Sequence, residues 1–180
     1  MKRISKHLSL LPQHAVYDTL DTPVGILLLT ATPQGLQSVL WEHEFQSAIC
    51  QAALAYHKKC ARHDIIVQTK QQLEEYFSGK RREFSVPLAL AGTPFQLQAW
   101  EVLQAIPYGE TLSYGEQATL LGNKNKARAV GLANRFNPVS IIVPCHRVIG
   151  GNGQLTGFGG GLESKAFLLQ LEKSNMNLIR

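Results

Sequence analysis

The feature that most constrains the fold is a change in sequence pattern near residues 88–92. Before it, short apolar runs alternate with turn residues, as in TPVGILLLTATPQGLQSVLWE (Thr22–Glu42), which predicts a β-hairpin turning at Pro33-Gln34-Gly35. After it, helix-capping signatures recur. The pattern therefore predicts an α/β domain over residues 1–90 and a mostly helical domain over residues 91–180.

Three further elements and a short strand are expected in the N-terminal domain. A helix should run over about residues 45–56, followed by a short strand in DIIVQT. Thr69 and Gln72 fit a capping box that opens a second helix in TKQQLEEYFSGK, which Gly79 would end. The segment REFSVPL resembles another strand, with Pro87 marking its edge or its end.

The C-terminal domain begins with a stronger helix signal. Thr93 and Gln96 form a capping box around Pro94, which suits the first helical position. The helix should continue to about Ile106. Its predicted buried face consists of apolar residues at helical spacing, namely Phe95, Ala99, Val102 and Ile106.

The segment TLSYGEQATLLGNKNKARAVGLANRFNP outlines a helix-turn-helix. Ser113 and Glu116 fit a capping box for a first helix that ends at Gly122, and Asn125 is the predicted cap of a second helix, KARAVGLAN. Small side chains on this second helix permit close approach to another surface. Positive charge lies on or beside it at Lys124, Lys126, Arg128 and Arg135. Such helix pairs also occur in proteins that never touch nucleic acid.

The overall composition narrows the class of protein only coarsely. The 180 residues carry a formal net charge of +5, a mild basic excess that suits a polyanionic partner without requiring one. The three cysteines have no spacing typical of a disulfide framework. The apolar run in MKRISKHLSLLPQH is too short and too interrupted for a signal peptide, and no apolar stretch is long enough to span a membrane. We therefore expect a cytoplasmic protein with reduced thiols and no membrane association.

A cysteine beside a histidine raises the main chemical question. In IIVPCHRVIG, an apolar run that resembles a buried strand leads into Cys145 and His146. The cysteine could be a buried hydrophobe, a metal ligand or a nucleophile. A nucleophile needs its thiol deprotonated, and both a base, His146, and a positive charge, Arg147, are available beside it in the sequence. His146 could act across a water molecule or a turn, with Glu172 or Glu163 orienting it. A loop with seven glycines follows, and its backbone could approach a flat ligand closely.

Four segments together resemble one family. The segments GTPFQLQAWEVLQAIPYGETLSYGE, RAVGLANRFNP, VPCHRVIG and LTGFGGGLESKAFLL are similar, in order and spacing, to the methylated-DNA–protein-cysteine methyltransferases, the O6-alkylguanine-DNA alkyltransferases. The similarity covers about residues 92–172. The N-terminal hairpin also resembles the opening of that family's smaller domain. The resemblance implies a ribonuclease-H-like domain followed by a winged-helix-like domain.

The resemblance also implies a reaction. Cys145 would accept the alkyl group of O6-methylguanine in DNA, and less efficiently that of O4-methylthymine, in a direct displacement that needs no cofactor and consumes the protein. His146 would act as the base through a water molecule, and Glu172 would orient it. Tyr114 would donate a hydrogen bond to the departing base, and Asn137 would hold the turn before the cysteine.

The implied partner is double-stranded DNA, bound through its minor groove by the second helix of the pair. Arg128 would fill the gap left by a nucleotide rotated out of the duplex, and Tyr114 would also contact the DNA. The other implied DNA contacts are Ala127, Ala129, Gly131, Asn134 and Arg135. The base pocket would be formed by Val148, Gly157, Phe158 and Gly159. We expect a monomer, with cooperative binding along DNA left open.

Two rival functions and a metal site remain to be weighed. A helix-turn-helix protein that recognises damage or regulates genes would bind DNA without chemistry, whereas a cysteine hydrolase would turn over many times. The residues Cys50, His57, Cys60 and His63 could be considered as zinc ligands, but they lie on a predicted helix and the segment after it. We therefore expect no metal site.

Overall fold

The computed structural model describes residue 12 and residues 14–177, and the chain divides into two compact units between Leu90 and Ala91. The segment considered above as a signal peptide lies almost entirely outside the described residues. Within the described part of the chain, no helix is long and apolar enough to cross a membrane.

The first unit is a four-stranded sheet with helices. Its strands are β1 (Val16–Thr22), β2 (Gly25–Thr32), β3 (Gly35–Trp41) and β4 (Lys58–Lys59). Its helices are α1 (Glu42–Phe45), α2 (Ala48–Leu54) and α3 (Asp64–Phe77). The strand order is β3-β2-β1-β4, with β4 parallel to β1 and the other pairs antiparallel. The predicted hairpin is confirmed as β2 and β3, whereas β1 had not been predicted.

Burial of the central strand explains its unbroken apolar run. Every residue from Leu27 to Thr32 in β2 is buried, so both faces of the sheet are covered. One cluster of buried side chains joins the sheet to α1 and α2 and consists of Leu28, Leu40, Phe45, Cys50 and Leu54. Helix α3 contacts β1, β2 and β3, and a partly buried ion pair between Asp18 and Lys70 joins it to β1.

Several N-terminal predictions are wrong in detail. DIIVQT is the first part of α3 and not a strand, because its apolar residues continue the helical period into LEEYF. Thr69 therefore lies inside the helix, where its hydroxyl donates to the Ile65 carbonyl at 2.6 Å, and His63 is the N-cap. The single helix predicted near residues 45–56 is two helices, α1 and α2. REFSVPL forms no strand and pairs only through one bridge between Leu88 and Leu36.

Gly35 is the position in this unit least able to accept a side chain. Its φ is 148°, and a Cβ atom there would lie 2.6 Å from the Pro87 carbonyl oxygen, which already accepts from the Leu36 amide at 2.8 Å. We expect Gly35→Ala to lower the free energy of unfolding by about 1–3 kcal/mol, since backbone must move on one side of the contact. Urea unfolding checks this value.

The control for that substitution is Gly151→Ala. No atom lies within 4 Å of a Cβ built at Gly151, so its unfolding curve should stay close to that of the wild type. Equal losses in the two variants would show that the contact with Pro87 does not constrain Gly35.

The second unit is mostly helical. Its helices are α4 (Pro94–Gln104), α5 (Tyr114–Leu120), α6 (Ala127–Arg135) and α7 (Gly161–Asn177). Two short strands, β5 (Leu112–Ser113) and β6 (Val148–Ile149), pair in parallel. Two 3₁₀ turns cover Lys124–Lys126 and Cys145–Arg147. The predicted capping boxes at Thr93 and Ser113 are both confirmed.

Buried polar groups fix the helices of this unit to one another. The Trp100 indole donates to the Ala133 carbonyl at 2.9 Å, and the Gln117 amide donates to the Ala99 carbonyl at 3.0 Å. Of the predicted buried face, Ala99 and, just after α4, Ile106 are buried, whereas Phe95 and Val102 are only half-buried. Trp100 and Leu103, which had not been predicted, are also buried. The pair α5–α6 forms the predicted helix-turn-helix outline, but Asn123, not Asn125, caps the intervening turn.

The segment before the cysteine is not the predicted strand. Residues 141–143 form a turn, with one bridge between Ser140 and Val143, and Ile141 has a φ of 75°. Positive φ is unusual for a β-branched residue. The apolar side chains are buried as predicted, but the backbone coils tightly and places the cysteine at the start of a 3₁₀ turn.

Candidate active site

Cys145 opens the 3₁₀ turn Cys145–Arg147 and is buried, with 7% of its surface exposed. Its Sγ atom accepts a hydrogen bond from Asn137 Nδ2 at 3.2 Å. Because the turn replaces an extended strand, consecutive side chains no longer point to strictly opposite sides. This arrangement places the thiol and the neighbouring imidazole in one buried region.

Asn137 holds the segment that carries the thiol. It is fully buried, and its Nδ2 also donates to the Val143 carbonyl at 2.8 Å, while its Oδ1 accepts from the Val139 amide at 3.0 Å. One side chain therefore joins both ends of the turn around Ile141 to the cysteine. Asn137 therefore contacts both the turn before the cysteine and the cysteine sulfur.

His146 and Glu172 form a buried pair. Both side chains are fully buried, and His146 Nε2 lies 2.8 Å from Glu172 Oε1. Glu163, the other candidate for this role, is exposed in the first turn of α7. Among the described residues, His146 Nδ1 has no hydrogen-bond partner. That nitrogen is therefore available to accept a proton.

Arg147 adds a permanent positive charge to this pair. Its Nε and Nη2 atoms donate to the Glu172 carboxylate at 2.9–3.2 Å, and its Nη1 donates to the Ile106 carbonyl at 2.6 Å. The Gly109 amide donates to Glu172 Oε2 at 2.9 Å. Glu172 thus joins the cysteine turn, the segment after α4 and the helix α7.

These contacts decide which groups are charged. Burial opposes ionisation of Glu172, but its hydrogen bonds with His146 and Arg147 outweigh burial and hold its pKa at about 2. Burial lowers the pKa of His146, an effect that Glu172 only partly offsets. Glu172 is therefore an anion paired with Arg147, and His146 is neutral, with Nε2–H donating to the carboxylate and Nδ1 as the acceptor.

Tyr114 lies close to the cysteine turn because β5, which it follows, pairs with β6 through Leu112 and Val148. Its hydroxyl donates to the Thr156 carbonyl at 3.3 Å. Burial raises the pKa of Tyr114, and a negative charge on Cys145 would raise it further. The phenol is therefore neutral and can act as a hydrogen-bond donor.

The residues that were predicted to form the base pocket lie on, or directly before, the glycine-rich loop between β6 and α7. Val148 is fully buried, whereas Phe158 and Gly159 are half-buried and Gly157 is exposed. The Phe158 ring meets the His146 ring edge-on, with centroids 6.3 Å apart. An aromatic ring therefore flanks the imidazole on the side of the loop.

Helix α6 presents small and basic residues to solvent. Arg128, Ala129 and Arg135 are exposed, and Ala127 and Gly131 are half-buried. A Cβ atom on Gly131 would lie 3.6 Å from the Tyr114 ring, so this helix passes next to Tyr114. The face that was predicted to contact DNA is thus accessible.

Asn134 is a correction to that prediction. Only 6% of its surface is exposed, and its amide exchanges two hydrogen bonds with the Gln117 amide, at 2.7 and 3.2 Å. It therefore joins α5 to α6 inside the unit and does not lie on the exposed face of the helix.

The described residues contain no group of three or more side chains arranged to hold a metal ion. Cys50 is fully buried in the apolar cluster of the first unit, and burial raises its pKa to about 11. His57, Cys60 and His63 are half-buried.

Two charged residues of the site were missed from the sequence. Lys165 is fully buried and donates from Nζ to the carbonyls of Val148 and Thr156. Arg147 was noted as a neighbouring charge but not as the partner of Glu172. Lys165 precedes Glu172 by seven residues, which is two helical turns, and this spacing was the available signal that both face the cysteine turn.

Comparison with known proteins connects this geometry to a family. Residues 94–174 match the family model described as the DNA-binding domain of 6-O-methylguanine DNA methyltransferase. Residues 15–90 match the model of its ribonuclease-like domain. The two matches cover most of the chain.

Individual relatives agree with the family models. A protein of Methanosarcina acetivorans named methylated-DNA–protein-cysteine methyltransferase is 44% identical over 158 residues, spanning 88% of this chain and 98% of its own. A protein of the same name from Mycobacterium bovis is 60% identical over 103 residues, spanning 57% of this chain and 62% of its own.

Solved structures give the same result. The crystal structure of Mycobacterium tuberculosis O6-methylguanine methyltransferase has a TM-score of 0.80 and 42% identity, covering 92% of this chain and 99% of that one. The structure of Mycobacterium tuberculosis OGT in complex with DNA has a TM-score of 0.79 and 44% identity, covering 89% and 94%. The chain therefore belongs to the methylated-DNA–protein-cysteine methyltransferase family.

Proposed function

We propose that the protein repairs DNA by moving the alkyl group of O6-alkylguanine, and less efficiently that of O4-methylthymine, onto Cys145. The observation that carries the proposal is the buried thiol of Cys145 beside a neutral His146 whose Nδ1 is unpartnered among the described residues. Binding of DNA agrees with the family model and with the DNA complex of the Mycobacterium tuberculosis relative.

The reaction is a displacement at the alkyl carbon. His146 Nδ1 takes the thiol proton through a water molecule, the sulfur forms a bond to the alkyl carbon, and the bond from that carbon to guanine O6 breaks with its electron pair. Tyr114 donates a hydrogen bond to the departing base and so stabilises its negative charge. The product is a thioether on the protein, which has no route back to the thiol, so each molecule reacts once and no cofactor is required.

Glu172 and Asn137 support this step without touching the substrate. Glu172, held ionised by Arg147, keeps the His146 proton on Nε2 and leaves Nδ1 as the base. Asn137 directs the sulfur and fixes the turn that carries it. The base would lie against the glycine-rich loop, with backbone groups at Cys145 and Val148 contacting its exocyclic amine and the Gly159 amide approaching O6.

DNA would bind through the helix-turn-helix α5–α6. The small side chains of Ala127, Ala129 and Gly131 suit close approach to the minor groove, and Arg135 and the lysines before α6 suit phosphate contacts. The target nucleotide must leave the stack to reach a buried thiol, so it would be rotated out, with Arg128 filling the gap in the duplex.

The same proposal assigns a role to each domain. Residues 91–180 would form a winged-helix-like domain that binds DNA and carries out transfer, and residues 1–90 would form a ribonuclease-H-like domain. The two-domain α/β and helical organisation of the family supports this assignment. We propose that the protein acts as a monomer.

The proposal is tested by incubating the purified protein with a duplex that carries one O6-methylguanine. Intact mass should rise by one methyl group per molecule and stop at equal stoichiometry, with the modification mapped to the peptide that contains Cys145. An unmodified duplex is the control. An unchanged mass together with tight DNA binding would contradict alkyl transfer and favour a damage-recognition protein, and repeated turnover would favour a hydrolase.

Arg128 should matter for duplex substrates in particular. We expect Arg128→Ala to slow methyl transfer from duplex DNA by about 10- to 100-fold, because the extruded nucleotide would no longer be replaced in the stack, and unstacking costs a few kcal/mol. Single-turnover rates on the duplex and on the free base O6-methylguanine check this expectation.

Arg135→Ala is the matched control, since it removes an exposed arginine from the other end of the same helix. It should weaken DNA affinity, but with DNA in saturating excess it should transfer the methyl group from the duplex at the wild-type rate. Equal slowing of Arg128→Ala on the duplex and on the free base would contradict a role for Arg128 in extrusion.

A further inference from the structure

Lys165 is a buried charged residue beside the cysteine turn to which the proposed reaction gives no part. Its side chain is fully buried, which is rare for lysine unless the charge is paired. Its Nζ donates to the Val148 carbonyl at 2.6 Å and the Thr156 carbonyl at 2.8 Å. Among the described residues, no carboxylate forms a salt bridge with it, and Glu172 on the same helix is already paired with Arg147.

The groups that face Lys165 come from each element packed around it. The cysteine turn lies next to it, because Nζ donates to the carbonyl of Val148, the residue directly after that turn. At this position a negative charge on Cys145 raises the pKa of Lys165, and the charge on Lys165 lowers the pKa of His146. From α5, the Tyr114 ring centroid lies 5.9 Å from Nζ. The imidazole is neutral and the pKa of the Tyr114 phenol is raised by burial. The thiol is therefore the neighbour that can supply a negative charge.

We propose that Lys165 is a positioning residue whose buried ammonium supplies the counter-charge for the Cys145 thiolate before transfer, a charge partner that is lost once the sulfur becomes a thioether. The inference rests on the proposed function for its role in repair. The coupling of the two side chains is a property of the free protein and can be measured without DNA.

The pKa of Lys165 agrees with this geometry. Burial lowers the pKa of Lys165 to about 8, and a negative charge on Cys145 opposes that effect by favouring the charged amine. Interaction between two sites is reciprocal, so the ammonium favours the thiolate to the same extent. Removing the charge should therefore make the thiol harder to ionise.

Lys165 also ties the glycine-rich loop to the cysteine turn. Val148 lies in β6, directly after that turn, and Thr156 lies within the loop, so one ammonium joins the loop to the strand that follows the cysteine turn. The Thr156 carbonyl also accepts from the Tyr114 hydroxyl at 3.3 Å. Variants must therefore separate the charge from the hydrogen bonds.

The experiment measures how fast iodoacetamide, a neutral reagent, alkylates Cys145 between pH 5.5 and 10, with the Cys145 peptide followed by mass spectrometry. Lys165→Gln keeps a hydrogen-bond donor but removes the charge, and Lys165→Arg keeps both. We expect Lys165→Gln to alkylate about tenfold more slowly at pH 7, with the pH midpoint raised by about one unit. Lys165→Arg and the exposed control Lys173→Gln should keep the wild-type midpoint.

A wild-type midpoint in folded Lys165→Gln would overturn the inference. If that variant does not fold, the unmodified protein gives the answer through the ¹³Cε shift of Lys165, titrated before and after iodoacetamide caps Cys145. The Lys165 titration should move down by about one pH unit after capping, and an unmoved titration would overturn the inference. If the wild-type protein shows this coupling between Lys165 and Cys145 but does not accept the methyl group of O6-methylguanine, the result would contradict the proposed function and not the inference about Lys165.

Discussion

Cys145→Ser should abolish methyl transfer and leave the affinity for DNA unchanged. The substitution replaces sulfur by oxygen at one atom, but a serine hydroxyl gives up its proton far less readily than a thiol and is a poorer nucleophile toward an alkyl carbon. We expect the single-turnover rate to fall by at least about 10³-fold, below detection by intact mass.

Cys60→Ser is the matched control for this variant. Cys60 is a half-buried thiol of the first unit, so its loss should leave transfer at the wild-type rate. DNA affinity, measured on a duplex with O6-methylguanine, should be equal in all three proteins because α6 is untouched. If the Cys145→Ser protein still gained a methyl group on another residue, the acceptor of the alkyl group would not be Cys145.

The elements that the sequence predicts well are those fixed by local chemistry. The capping boxes at Thr93 and Ser113 place the starts of α4 and α5 correctly, because an N-cap hydroxyl and a residue three positions later satisfy exposed amides within one turn. The β2–β3 hairpin follows from two apolar runs around Pro33-Gln34-Gly35. None of these features depends on distant contacts.

The elements that the sequence predicts poorly depend on tertiary contacts. DIIVQT and the IIVP run before Cys145 have similar apolar content, yet one is helix and the other is a turn that includes Ile141 at positive φ. The buried side chain of Asn137, which bonds both ends of that turn, holds a conformation that local propensity disfavours. Asn134 points inward for a similar reason, since its partner Gln117 lies on another helix.

The active site shows the same division. Cys145 and His146 are recognisable because they are adjacent in a distinctive motif, whereas the contact of Arg147 with Glu172 joins residues 25 positions apart. The arginine that looked like a neighbour able to activate the thiol in fact neutralises the carboxylate. The two positive charges near the cysteine turn therefore have different partners. Arg147 forms a salt bridge with Glu172, whereas Lys165 has no carboxylate partner among the described residues and donates to backbone carbonyls.

Glu172→Gln should cause the largest loss of stability among these substitutions. The change removes one negative charge at constant shape and leaves the buried Arg147 guanidinium without its partner, and breaking a buried pair in this way costs about 3–5 kcal/mol. A drop of this size should lower the melting temperature of the second unit by more than about 10 °C. Transfer should also slow, because the His146 proton would no longer be fixed on Nε2.

The pH dependence of unfolding is a second test of the ion pair between Glu172 and Arg147. The pKa of Glu172 is about 2 in the folded protein against an ordinary value of 4.5, so its ionisation stabilises the fold above pH 4.5 and this contribution is lost as pH falls toward 2. The wild type should lose about 3 kcal/mol over that interval that Glu172→Gln does not lose. Glu163→Gln, which changes an exposed carboxylate on the same helix, should retain the wild-type dependence.

The double variant Arg147→Met with Glu172→Gln distinguishes a lost partner from a lost packing contact. If the penalty comes from an unpaired buried guanidinium, removing that charge as well should restore much of the stability lost in Glu172→Gln, since an uncharged group of similar size has no ionic partner to miss. Additive losses in thermal unfolding would show instead that the two side chains stabilise the fold independently. Transfer should stay slow in the double variant in either case, because His146 still lacks the carboxylate that orients it.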